Sequence, residues 1–159
     1  MNFSHIKKNK NVNMVDITVK KNSLRVAKAK GTIVFNKKTF SKVISEKSPK
    51  GEIFNTARLA AIMAAKKTHE LIPLCHNINL NSIDIEFKKI IINHSIEIIS
   101  SVKTDYKTGV EMEALTACSI ACLTVYDMCK SIDKKILIQD IRLISKSGGK
   151  SGNYVDKDI

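Results

Sequence analysis

A chain of 159 residues is long enough for one compact domain with a real core and too short for two typical ones. Hydrophobic residues at 43% beside charged residues at 26% mark a folded globular domain, and no apolar run reaches the length of a membrane span. Lys and Arg number 27 against 15 acids, a net charge of +12, which favours an anionic partner: nucleic acid, an acidic surface or a phosphorylated small molecule.

Residues 1–12 are polar, rich in Lys and Asn, and read as a flexible tail. The start is basic but lacks the apolar stretch of a secretory signal, so a cytoplasmic protein is expected. Residues 14–19 read as a short extended segment. From 25 to 35 the chain alternates and ends in "TIVF", whose β-branched residues suit a strand. Residues 37–46 place Phe40, Val43 and Ile44 at helical spacing, and "SPKG" breaks the pattern because Pro49 and Gly51 disfavour a continuing helix.

An Ala-rich helix is predicted over 53–70, apolar at Phe54, Ala57, Ala61 and Ala64 and ending before Pro73. Ile83, Ile85 and Phe87 alternate with Asp84 and Glu86 as a half-buried strand, with 90–102 as its neighbour. "GVEMEALTACSIACLTVYDMCK" predicts a helix over 109–131, and "ILIQDIRLIS" a last strand. Strand, helix in two pieces, strand, strand, helix, strand is the order of a ferredoxin-like α+β domain, a split βαβ sandwich with an antiparallel sheet and helices on one face. One domain is expected over 13–152, followed by a flexible tail at 153–159.

In the helix over 109–131, the macrodipole favours Glu111 and Glu113 at the start and Lys130 at the end. Asp127, in the last turn, opposes it. Lys130 one turn on compensates as an ordinary ion pair, or the two form an acid/base pair; the residues alone leave both readings standing. Glu113 and Asp127 project to the same side about four turns apart, roughly 21 Å along the axis. If both serve one small molecule, a second subunit must supply the missing half.

"LIPLCHNINL" puts Cys75 and His76 in a loop, Cys75 suited to packing and His76 to phosphate or proton handling. The four cysteines, Cys75, Cys118, Cys122 and Cys129, are expected as free thiols. Without a CxxC pair or HExxH, no metal site is expected. "KSGGKSG" has Ile144 in place of the first P-loop glycine, so it is not a Walker motif. It reads equally as a basic tail or as a turn that closes over an anion. Lys50, before a helix start, and Arg25 stand out little among so many basic residues.

"KGEIFNTARLAAIMAAKKTHELIPLCH", "KTGVEMEALTACSIACLTVYDMCK" and "RLISKSGGKSG" closely resemble the MoaC family of cyclic pyranopterin monophosphate synthases in molybdenum cofactor biosynthesis. The resemblance implies a ferredoxin-like fold and conversion of 3′,8-cyclised 7,8-dihydro-GTP to cyclic pyranopterin monophosphate with release of pyrophosphate. It also implies a homohexamer, a trimer of dimers, with sites at subunit interfaces. Matched residue by residue, Asp127 takes the place of the catalytic acid/base, with Lys130 and Lys50 as catalytic lysines. Leu74, Cys75 and His76 match one substrate-binding segment, Glu111 and Met112 a second with Glu113 close by, and Arg25, Lys146 and Lys150 basic positions around the substrate. Asn77, where the family has proline, and Ser48-Pro49 depart from the pattern. No resident cofactor is implied, and Mg²⁺ accompanying the triphosphate is left open.

The rival is a ferredoxin-like nucleic-acid module. RNA recognition by this topology wants stacked aromatics on central strands. Here aromatics are 5%, Trp is absent, and Phe87 stands alone in the central hairpin. Neither nucleic acid nor membrane is expected as a partner.

Overall fold

Alternation along Ser23–Val34 buries Ala27, Ala29, Gly31 and Ile33 on one face and leaves Lys28 in water, and this strand, β1, is the middle of the sheet. The computed structural model describes His5 and residues 11–45, 50–150 and 152–157. After β1 come α1 (Lys37–Ile44), α2 (Lys50–Lys66), α3 (Thr68–Leu71), β2 (Ser82–Ile90), β3 (Ser95–Tyr106), α4 (Glu111–Cys129), β4 (Leu137–Ser147) and β5 (Tyr154–Val155). The sheet runs β2-β3-β1-β4-β5, every neighbouring pair antiparallel. The unit β1-α2-β2 straddles β3, and β3-α4-β4 straddles β1, so the fold is ferredoxin-like α+β.

α2 and α4 pack together over the face that carries Ala27, Ala29, Ile85, Ile96, Ile98 and Val102. α2 is fixed on β2 by Phe54, stacked 4.9 Å from Phe87, with the Arg58 guanidinium also over that ring at 5.3 Å. Phe87 is therefore engaged by α2 within the domain. By length and composition α4 would pass for a membrane span, yet half of it is buried against the sheet, as befits a core helix. Its seat is narrow: a Cβ on Gly31 would lie 2.9 Å from Cys122 Sγ and 3.0 Å from Cys118 Sγ.

β4 is not the plain strand its sequence suggests. Its register against β1 shifts between Lys28 and Ala29 and between Lys30 and Thr32, and Asp140 takes φ 60°. Each extra residue reverses which face the following side chains meet. Ile138, Leu143 and Lys146 consequently lie opposite Ile33, Ala29 and Ala27, all on the helix face.

Several boundaries differ from the sequence reading. Residues 14–19 form no strand, and at Asp16 the segment turns: its Oδ1 accepts from the Thr18 amide at 2.8 Å and hydroxyl at 2.6 Å. α2 begins at Lys50, so Gly51 lies in its first turn; the rest of the "SPKG" break, and most of the expected N-terminal tail, lie outside the described residues. The helix predicted over 53–70 is two, separated where Lys67 leaves helical geometry (φ −109°, ψ 13°). The tail expected at 153–159 is partly ordered into the sheet, Tyr154 and Val155 pairing with Lys146 and Ser145.

Gly31→Ala should lower stability by roughly 1–3 kcal/mol through overpacking against the two thiols. Urea denaturation of Gly31→Ala, Cys122→Ala and the double variant tests this; the cycle should recover part of the loss.

Candidate active site

Arg25 continues the inward series of β1, two residues before Ala27, and so emerges on the helix face at the strand's end. Its Nε donates to the Tyr106 carbonyl at 2.9 Å and its Nη2 to the Lys107 carbonyl at 3.2 Å, which fix the guanidinium in place. The glycine-rich segment after β4 lies on top of it. Gly148 and Gly149 hold φ of 87° and 79°, and a Cβ would strike the Leu24 carbonyl from the first and the Arg25 guanidinium from the second. Glycine is required there for both conformation and space. The described part of "KSGGKSG" is therefore a turn seated on Arg25.

Arg25 and this turn form one side of a cavity of about 860 Å³. Lys146 and Lys150 line the same side, Leu74, Cys75 and His76 come from the loop after α3, and Glu111, Met112 and Glu113 come from the first turn of α4. All residues that the sequence puts forward for substrate binding thus share one cavity.

The two glutamates differ. Glu111 pairs with Lys146 Nζ at 2.9 Å and is partly exposed. Glu113 is only 4% exposed, and burial, with the Glu111 charge adding to it, pushes its carboxyl up to about 7. A carboxyl so placed both gives and takes a proton near neutrality. The sequence reading of Glu113 as a dipole partner misses this. Cys75, partly buried, has its thiol pushed up by desolvation and then by the Glu113 charge, so it is no thiolate nucleophile. His76 Nε2 lies 2.7 Å from the Val15 carbonyl, which can only accept, so Nε2 carries the hydrogen.

Asp127 and Lys130 are elsewhere. They pair at 2.6 Å at the far end of α4, with 65% and 57% of their side chains exposed. The hydrogen bond from Lys130 to Asp127, then the Asp127 charge, raises the Lys130 ammonium further. Lys50 opens α2, its side chain outside the described residues. One chain therefore gathers the binding residues without the Asp127–Lys130 pair. It also brings Lys20, Lys21 and Lys107 to the cavity. The sequence reading passed over these three because each is one basic residue among 27. Cys118, Cys122 and Cys129 are buried free thiols in the core, apart from Cys75 in the cavity wall. Among the described residues no group of three His, Cys, Asp or Glu side chains is placed to hold a metal.

Fold and cavity together define a ferredoxin-like protein with a cationic small-molecule pocket. The chain belongs to the MoaC family, whose sequence profile matches residues 14–149. Among its relatives, a cyclic pyranopterin monophosphate synthase of Heliobacterium modesticaldum is 46% identical over 98% of both chains. One from Bordetella pertussis is 48% identical over 96% of this chain and 94% of its own. One from Peptoclostridium acidaminophilum is 45% identical over the full length of both.

Because the native state holds the Glu113 proton more tightly than an ordinary carboxyl near 4.5, stability falls as pH rises from there to about 7. The loss approaches about 3 kcal/mol and is complete above that window. Glu113→Gln should flatten this part of the curve and be the more stable protein at pH 8, as read by denaturant midpoints at pH 5 and 8.

Proposed function

We propose that this chain is a cyclic pyranopterin monophosphate synthase acting on 3′,8-cyclised 7,8-dihydro-GTP and releasing pyrophosphate, as the names of its relatives suggest. The observation that carries this is the cavity itself, which sets Arg25, His76, Lys146 and Lys150 around a space that also contains the protonatable Glu113. Cationic side chains suit a triphosphate, and a carboxyl that titrates near neutrality suits the N–H groups of a guanine-derived ring.

In this reading Arg25, His76, Lys146 and Lys150 hold the phosphates, with Leu74, Cys75 and Met112 against the ring and Glu111 positioning Lys146. Asp127 and Lys130 exchange protons during ring opening and pterin closure, with Lys50 assisting. A ribose hydroxyl then attacks the α-phosphorus, closing the cyclic phosphate, while pyrophosphate leaves against the cations. No cofactor is held by the chain; any Mg²⁺ arrives on the triphosphate.

If Asp127 and Lys130 serve this cavity, the distance along α4 means that another copy supplies them, and we extend the reading to a cytoplasmic homohexamer, a trimer of dimers, with sites at its interfaces. α4 supports this, since Leu123 and Met128 are exposed on an otherwise core-like helix, with Ile132 just beyond it.

The test is pyrophosphate release from the cyclised substrate. Wild type should release it in step with the cyclic pterin product, while Asp127→Asn and Lys130→Ala should lose at least about three orders of magnitude in kcat. Asp127→Asn should still bind substrate; turnover at the wild-type rate would sink its assignment. Mixing Asp127→Asn with Lys146→Ala subunits should restore part of the activity, because some mixed interfaces then hold one intact site. No restoration in demonstrated mixed oligomers would place both residues in a site made by one chain.

A further inference from the structure

Before β1 enters the sheet, residues 14–22 run along the cavity with no helix or strand of their own. Val15, Lys20 and Lys21 line it. The segment is shaped locally by the Asp16–Thr18 turn and by the Lys20 amide donating to the Ile17 carbonyl at 3.1 Å. Among the described residues, two side chains tie it to the body of the domain: His76 Nε2 donates to the Val15 carbonyl at 2.7 Å, and Lys107 Nζ to the Thr18 carbonyl at 3.0 Å. Both are themselves cavity residues.

We propose that residues 15–21 form a strap that closes on the bound anion, carrying Lys20 and Lys21 to it, with Lys107 as the positioning residue that fastens it. This rests on the anionic-substrate reading above.

Charge supplies the coupling. Lys20 and Lys21 face a cavity that already holds Arg25, Lys107, Lys146 and Lys150, against the ion-paired carboxylate of Glu111 and Glu113, which is protonated below about pH 7. Without an anion, like charges push Lys20 and Lys21 from the body against the pull of Lys107 on Asp16, and the described side-chain hydrogen bonds are a slight hold on a segment whose ordering costs entropy. An anion in the cavity reverses the sign of that field. Closure then favours binding, and binding favours closure by the same factor.

His76 is tied to the same segment. Its Nε2 hydrogen is directed to the strap, so Nδ1 is the ring nitrogen left, and it donates to an anion only when the ring is an imidazolium.

The experiment is amide hydrogen exchange on the full chain with inorganic tripolyphosphate as probe and its binding followed in parallel by calorimetry at low salt. At roughly 100 times its dissociation constant, tripolyphosphate should slow exchange at the Thr18 and Lys20 amides by up to about 100-fold. Amides of β2, on the far edge of the sheet, should not respond. Lys107→Met should remove most of that protection, and Lys107→Arg, which keeps a donor, should restore it; a purely structural lysine would show neither split. Lys20→Ala/Lys21→Ala, at exposed positions, should weaken tripolyphosphate by roughly tenfold with an unchanged melting temperature. Binding without protection of Thr18 and Lys20 overturns the strap alone. Failure of wild type to bind tripolyphosphate overturns the anionic pocket and the strap with it.

Discussion

The close approach of α4 to β1 at Gly31 governs the molecule. With only hydrogen on that residue, Cys118 and Cys122 settle onto the central strand at van der Waals range. Ser100 Oγ then donates to the Ala114 carbonyl at 2.7 Å and Cys118 Sγ to the Ile98 carbonyl at 3.6 Å, fixing the rotation of the helix about its axis. That rotation turns Glu113 inward beside Cys75 and leaves Glu111 to meet Lys146. The same straight helix carries Asp127 and Lys130 to the opposite end. The cavity's chemistry, and the separation of Asp127 and Lys130 from it, descend from how one helix is seated.

The second constraint is phase. A strand shows alternate residues to each face, so Leu143 and Lys146 would face opposite ways in a regular β4. The register shift after Leu143 puts them on one face, which is how Lys146 reaches the first turn of α4. The bulge opposite Gly31 does the same for Ile138 and Leu143, at the strand position where α4 packs closest. Arg25 needs no such device, because it simply continues the inward parity of Ala27 and Ala29.

These differences explain what the sequence could show. β1, β2 and the two long helices are legible because period two and Ala-rich helical spacing are written locally, and the resulting element order admits few topologies. The bulges are not legible: "ILIQDIRLIS" alternates passably with no glycine or proline to mark an extra residue. The pairing of Tyr154 and Val155 with β4 is set by a partner strand rather than by their own composition. At the site, the motif around Glu111 to Glu113 is plain, but the partition between a paired carboxylate and a buried one depends on the rotation of α4, a tertiary quantity. Lys20, Lys21 and Lys107 are invisible for a different reason, since proximity alone distinguishes them from the other basic residues.

The proposed shared site turns on what happens to the Asp127–Lys130 pair when it is covered. Exposed to water, the pair is chemically idle: the carboxylate at 2.6 Å favours the ammonium, and solvent screens both. Covering it changes the balance, because a desolvated carboxylate and ammonium are costly as ions, and transfer of the proton between them neutralises both. The apolar residues around it, Leu123, Met128 and Ile132, are what a covering surface would bury. If that surface belongs to a second copy related by a two-fold axis, whatever one chain presents to its partner the partner presents in return. A single contact that sets the Asp127 end of α4 against the neighbour's cavity therefore completes two sites at once. On this reading the roughly four turns of α4 between Glu113 and Asp127 set the separation of one chain's two half-sites.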